Sequence, residues 1–259
     1  MNKPDSQSDN QSISSSATAR SMRLLTELAA HGDSLTLAEL AAAAELPKPT
    51  DHRLCGQLME LGFVARDVDE RYFAIGPALR KLALDTLNHG SLSNLRHQVL
   101  SDLVEQTGET CNFTTLDGSS VLYLDRVESK RPWRLTLDVG AHVPLHCTAS
   151  GKVFLAGMSR NKRDYLLRQM HLEKLTERTI TSAEELRADC KQVLANGYAL
   201  DQEEFVTGLV AIAIPIHDKD EVLRAALALH CPTSHSSLDD LLKKLPVLEA
   251  ARERMAALI

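Results

Sequence analysis

Four groups of residues in this chain carry side chains able to do chemistry, and each points to a different activity. Ser150 with His146 or His230, and Cys147 beside His146, supply the nucleophile and base that a hydrolase needs. Their surroundings argue against it. Ser150 lies between Ala149 and Gly151, not in a GxSxG turn, and adjacent loop side chains rarely meet in catalytic geometry. His142, His146, Cys147, His230, Cys231 and His235 are zinc-ligand types near strand or loop ends, which keeps a metal-responsive protein as an alternative. No CxxC is present, and the i, i+4 pairs His142/His146 and Cys231/His235 sit near strand or loop ends and not on a helix, so no metal or cofactor is expected. The third group, Lys48, Pro49, His52, Arg53 and Gly56, falls on one side of a short helix whose other side carries Leu54, Leu58 and Leu61. Positive and hydrogen-bonding groups at a helix N-terminus suit phosphate and base edges. The fourth is Thr148-Ala149-Ser150-Gly151-Lys152, small residues where a loop becomes a helix. Short side chains there expose N–H groups to an anion such as a carboxylate; the same pattern also suits close packing of a helix start on a sheet.

The elements that must hold these groups follow from periodicity. Residues 1–17 are mostly Ser, Asn, Gln and Asp, too polar to offset ordering entropy, and are expected to be a disordered tail. Met22, Leu25, Leu28 and Ala29 mark a first helix that Gly32 stops. Thr36 and Glu39 form a capping box, with Leu35 and Leu40 as its staple, for a second helix over 37–44. Pro49 opens the third after a brief turn, and Gly62 closes it. Phe63–Arg66 and Arg71–Ile75 then flank a polar turn at 67–70, a two-stranded wing. Helix, turn, helix and wing make a winged helix-turn-helix domain over 18–76. A linker helix over 77–91, apolar at Leu79, Leu82 and Leu87, leads into residues 92–259.

That larger segment is expected to be α+β. A helix with Leu95, Val99 and Leu103 ends at Gly108, and extended segments cover 111–116, 119–128 and 133–138, with an Asp117-Gly118 turn joining the first two. Helices are expected at 149–158, 160–170 and 182–196, the last capped by Thr181 and Glu184. Strands at 208–216 and 222–230 and a final helix at 237–258 complete an antiparallel sheet flanked by helices.

Charge sets a limit on the nucleic-acid reading. The 259 residues carry a net charge of −6, and residues 18–90 hold eight Lys and Arg against ten Asp and Glu. Any DNA contact must therefore come from a local cluster, doubled by dimerisation. The five cysteines, odd in number and far apart, suggest free thiols. No apolar run approaches the ~18 residues of a membrane span and no secretory leader is visible, so the chain reads as cytoplasmic with no membrane partner.

Two motif sets carry a resemblance. Leu40-Ala41, Leu46-Pro47-Lys48-Pro49-Thr50-Asp51-His52-Arg53-Leu54, Leu61-Gly62-Phe63-Val64 and Arg71–Gly76 resemble the N-terminal domain of IclR-family transcription regulators. Pro144–Lys152, Gly197–Glu204 and Gly208-Leu209 resemble their C-terminal domain, in the right order, so that the likeness spans about 18–258. It implies a GAF/profilin-like effector domain, binding to a palindromic double-stranded operator, and a homodimer or dimer of dimers. Lys48, Pro49, Thr50, His52, Arg53 and Arg71 would address DNA. Ala149, Ser150, Asp201, Leu209, Ala211, Ala228 and His230 would line the effector pocket. Leu209, Ala211 and Ala228 leave apolar walls. His230 is either a satisfied structural group at a strand end or, if it faces the pocket, an added donor, and the latter suits a small organic acid. Three departures stand out. Asp51 occupies a usually apolar position, where a buried carboxylate must be paired or solvated. Pro49 replaces a common Ser or Thr, and His230-Cys231 replaces Ser-Gly.

Overall fold

The computed structural model describes residues 16–31, 34–67, 70–87, 90–131 and 137–259, and the chain divides into two compact units, 1–87 and 88–259. Expectations for the tail at 1–15, the Gly32 stop, the wing tip at 68–69, residues 88–89 of the linker and a strand through 133–136 lie outside the described residues, as does the Leu87 side chain.

In the first unit, α1 (Ala17–His31), β1 (Leu35–Thr36), α2 (Leu37–Ala43), α3 (Lys48–Glu60), β2 (Val64–Arg66), β3 (Tyr72–Ile75) and α4 (Pro77–Leu87) follow in order. The capping box forms as the residue types require: Thr36 Oγ1 accepts from Glu39 N while Thr36 N donates to Glu39 Oε2 at 2.9 Å. The wing gains a third strand, because β1 pairs with β3 beside β2. Its rim is tied by Arg66, which donates to the Glu70 carbonyl and stacks on the Phe73 ring at 4.5 Å.

Leu24, Leu25, Leu28, Leu40, Leu54, Cys55, Leu58, Val64 and Phe73 form the core of this unit. Two helical stripes differ from expectation. In α1 the buried set is Leu24, Leu25 and Leu28, with Met22 59% exposed and Ala29 exposed. In α3 it is Asp51, Leu54, Cys55 and Leu58, while Leu61 caps the helix and is 63% exposed. Leu61 has the right angle on the wheel but lies one step beyond the helix and stays exposed. On α4, Leu79 is half-buried and Leu82 exposed.

The second unit holds α5 (Ser91–Thr107), β4 (Thr110–Asp117), β5 (Ser120–Val127), β6 (His142–Pro144), α6 (Ala149–Gly157), α7 (Arg160–Gln169), α8 (Ala183–Asn196), β7 (Ala199–Gln202), β8 (Leu209–His217), β9 (Leu223–Pro232), α9 (Leu238–Lys243) and α10 (Leu245–Ala256). Six antiparallel strands run in the order β6-β5-β4-β9-β8-β7. One sheet face packs on α6 and α8 through Tyr123, Ala211, Ala213, Ala226 and Ala228. The helices α5, α9 and α10 pack against the sheet as well. The pattern is α+β, as the periodicity implies.

Three local expectations change. Ser182, not Thr181, caps α8 and accepts from Glu185 N. The segment around Asp201, with no assigned element in the sequence reading, is an edge strand. The last helix is two, because Pro246 supplies no N–H and its ring clashes with the preceding turn, so it can only start α10.

Candidate functional site

The first candidate site lies on α3. Lys48, Pro49, His52 and Arg53 are exposed and Thr50 half-buried, all within the first two turns. Pro47 occupies the cap position with no side-chain cap. Thr50 N and Asp51 N both donate to Pro47 O, and Pro49 has no N–H, so the first turn offers less to an anion than a helix start usually does. The side chains must carry the contact. Arg53 Nη1 donates to Gln57 Oε1 at 3.2 Å, which holds the guanidinium along the exposed face. Arg71 is exposed just ahead of β3.

Behind that face sits Asp51, fully buried, with neither carboxylate oxygen bonded among the described residues. Burial pushes its pKa up to about 6 against the weaker pull of His52. The expectation that this carboxylate would be paired or solvated is therefore wrong. Helical spacing puts position 51 in the stripe with Leu54, Cys55 and Leu58, and no ion pair to it is found among the described residues.

The second candidate site is a cavity on the α6 face of the sheet. Ala149, Ser150, Asp201, Leu209, Ala211, Ala228 and His230 all line it, joined by Asn112, Tyr123, Thr148 and Phe205. These positions come from β4, β5, β7, β8, β9, the start of α6 and the turn after β7. Its volume of about 20 Å³ holds one water, so a larger ligand enters only as lining side chains move outward.

Strand register explains the gathering. Ala211 pairs with Asp201 on one side and with His230 on the other, so the three share a row and a face. Ala228 pairs with Ala213 and Asn112 two residues along, on that same face. Alanines at the centre leave the space, and polar groups stand at the ends of the row.

The start of α6 is built by its small residues. Thr148 Oγ1 accepts from Gly151 N at 3.1 Å and donates to Pro144 O at 2.7 Å. A Cβ on Gly151 would lie 2.2 Å from Leu145 O, so this position must be glycine. The two readings of the small-residue run thus divide between neighbours: Gly151 serves close packing, and Ala149 and Ser150 face the cavity.

Asp201 Oδ1 accepts from Glu204 N at 2.7 Å and Phe205 N at 3.4 Å, tying the turn after β7. Burial lifts its pKa to about 7, with Glu204 adding to the rise and the Glu204 N–H and Lys152 opposing it. Lys152, 1% exposed, meets Glu204 at 2.7 Å and Asp189 at 3.1 Å. Burial alone would lower the Lys152 pKa; the two carboxylates outweigh it and hold the ammonium above its ordinary range. This ion pair connects the α6 start to the turn that carries Asp201. His230 is buried, and burial with the nearby Arg126 charge pushes its pKa down to about 3.

The hydrolase groupings do not assemble. His146 Nε2 is bonded to Glu173 O, Cys147 is buried with its thiol pushed up to about 12, and no hydrogen bond joins Ser150 to a histidine among the described residues. Among those residues no group of three or more His, Cys, Asp or Glu is placed to hold a metal ion. No described helix is long and apolar enough to cross a membrane.

Three cavity residues, Asn112, Tyr123 and Phe205, escaped the sequence reading, while Thr148 stood in the small-residue run it singled out. Asn112 offered a signal, as a polar residue between Cys111 and Phe113 in an apolar strand. Tyr123 and Phe205 offered none beyond their neighbourhood.

A winged helix-turn-helix unit followed by a sheet-and-helix unit with a lined cavity defines a DNA-binding regulator with a ligand-binding domain. Comparison with known proteins agrees. Residues 17–68 match the IclR helix-turn-helix domain and residues 84–256 the bacterial transcriptional regulator IclR C-terminal domain. The chain belongs to the IclR family of transcription regulators. It is 36% identical over 242 residues to the transcriptional regulator SauR of Cupriavidus necator, covering 93% of this chain and 96% of that one. A transcriptional regulator from Rhodococcus sp. RHA1, 29% identical, superposes with a TM-score of 0.64 over 93% of this chain and 97% of that one. The inducer-binding domain of PobR from Acinetobacter, a double mutant solved with 3-hydroxybenzoic acid, is 26% identical with a TM-score of 0.60, covering 66% of this chain and all of that one.

Proposed function

We propose that this regulator reads a palindromic operator with α3 and the wing, and that a small organic acid in the α6 cavity modulates that binding. The observation that carries the reading is the shared row of Asp201, Ala211 and His230 beside the start of α6, which puts polar groups at the ends of an alanine-floored cavity. The acid complex of the PobR domain supports the ligand class by likeness. Residues 18–76 are the DNA-binding domain, 77–91 the linker and 92–259 the effector domain of a cytoplasmic homodimer or dimer of dimers. Lys48, Pro49, Thr50, His52, Arg53 and Arg71 contact DNA. Ala149, Ser150, Asp201, Leu209, Ala211, Ala228 and His230 contact the effector. The acid acts by shifting the population of DNA-binding arrangements, within its differential affinity for them. No catalytic role is assigned.

Two measurements test this. Gel shifts with fragments upstream of the regulator's own and neighbouring genes should lose most affinity in Arg53→Ala while the fold is retained; unchanged affinity removes α3 from the reading. Calorimetry of the full chain against a panel of organic acids should find a binder, and a panel without one counts against the effector class.

A further inference from the structure

Among the polar groups lining the cavity, one buried donor is left over. His230 Nε2 is sealed from solvent and has no hydrogen-bond partner among the described residues. The other side of the ring decides what that nitrogen is. Arg126 Nη1 donates to Asn112 Oδ1 at 3.0 Å; a guanidinium cannot accept, so the contact fixes which end of the amide is oxygen. Asn112 Nδ2 then faces His230 Nδ1 at 3.1 Å, and an amide nitrogen only donates, so Nδ1 accepts. The ring proton is thereby placed on Nε2.

This relay crosses three neighbouring strands. Asn112 on β4 pairs with Arg126 on β5 and with Ala228 on β9, two residues before His230. Its product is a neutral donor with Arg126 behind it, and a buried N–H without an acceptor points to something that accepts. The N–H groups of Ala149 and Ser150, at the first turn of α6, belong to residues lining the same cavity. At the other end of the row, two strands from His230 and about 10 Å away between backbones, stands Asp201. The Arg126 charge and the His230 donor favour an anion at the His230 end, and the Asp201 carboxylate disfavours one at the other.

We propose that His230 sets effector specificity by donating Nε2–H to a carboxylate oxygen of a hydroxy acid whose hydroxyl turns toward Asp201. The assignment rests on the organic-acid reading above. Asn112 and Arg126 are positioning residues, because they act through the tautomer. A ligand presenting an ammonium or N–H group to β9 is rejected, since two donors would meet there.

The test uses the full chain in two arms. In calorimetry with 3-hydroxybenzoate, 4-hydroxybenzoate, glycolate and lactate, each beside its methyl ester, at least one free acid should bind and its ester bind far more weakly. His230→Leu should weaken that acid by about tenfold or more, and His230→Gln, which keeps an N–H, should recover part of the loss. Unfolding midpoints of both variants separate a lost contact from a lost fold. Binding as tight in a folded His230→Leu as in the parent overturns the proposal. In the second arm, long-range 1H–15N spectra of histidine-labelled protein should show a neutral Nε2–H ring at pH 6–8. That signal should vanish in His230→Gln and lose its single tautomer in Asn112→Leu. An Nδ1–H or charged ring overturns the role of His230 even if acids bind. The expected tautomer with none of these four acids bound overturns the hydroxy-acid class, while the effector part of the proposed function falls only when the wider organic-acid panel also yields no binder.

Discussion

Lys152 Nζ and Glu204 Oε1 meet at 2.7 Å with both side chains sealed from solvent, and this pair ties the first turns of α6 to the turn that follows β7. Asp189 at 3.1 Å brings a second carboxylate to the same ammonium. Removing the lysine leaves Glu204 buried beside a second carboxylate, and a half-removed buried pair typically costs about 3–5 kcal/mol. Lys152→Met should lower the stability of the effector domain by about that amount, read by denaturant unfolding at pH 7. Loss of less than about 1 kcal/mol would mean that water reaches the pair.

Asp51 makes the opposite prediction. Its pKa is about 6 in the folded protein against an ordinary 3.8, so the folded domain holds this proton to higher pH than the unfolded chain does. Its burden is absent at pH values below about 3.8, grows as pH rises toward 6 and is full above it, about 3 kcal/mol by linkage. Asp51→Ala, which also favours the helix, should stabilise the DNA-binding domain by about 1–3 kcal/mol at pH 7.5 and by less at pH 4.5. Equal unfolding midpoints for parent and variant at pH 7.5 would show that the carboxylate has found a partner.

Gly151 has no room for a side chain, since its Cβ would meet backbone, which cannot rotate away. Gly151→Ala should cost about 1–3 kcal/mol of effector-domain stability and displace the α6 start from the cavity. A variant with unchanged melting temperature and a full crystal structure in register would remove that constraint.

Lys48 is exposed at the first position of α3, and no salt bridge holds it among the described residues. If it meets a phosphate, Lys48→Ala should weaken operator and non-operator DNA alike. The slope of log K against log salt should fall by about 0.9. His52→Ala, by contrast, should change the preference between operator variants. An unaltered salt slope in Lys48→Ala would take this residue off the phosphate backbone.

Much of this architecture was legible in one dimension because its causes are local. The Thr36–Glu39 capping box, the Pro49 helix start and the Asp117-Gly118 turn each depend on residues a few positions apart, and each appears where its chemistry requires. The two ordered motif sets placed a reading head before a ligand domain, and they named seven positions that turn out to line one cavity. Where local rules misled, a neighbour outside the window intervened. Leu61 has the angle of a core residue but stays exposed, and Asp51 has the character of a surface residue but lies in the stripe between helices.

The chain's order of residue types settled which elements form and in what succession, since capping, periodicity and turn propensity act within one or two turns of helix. Strand pairing settled the rest. It put Asp201, Ala211 and His230 in one row, and it brought Asn112 within 3.1 Å of a ring 118 positions away, so that the imidazole's proton is set by an amide on another strand. No periodicity encodes that contact, because it exists only once the sheet has closed the distance.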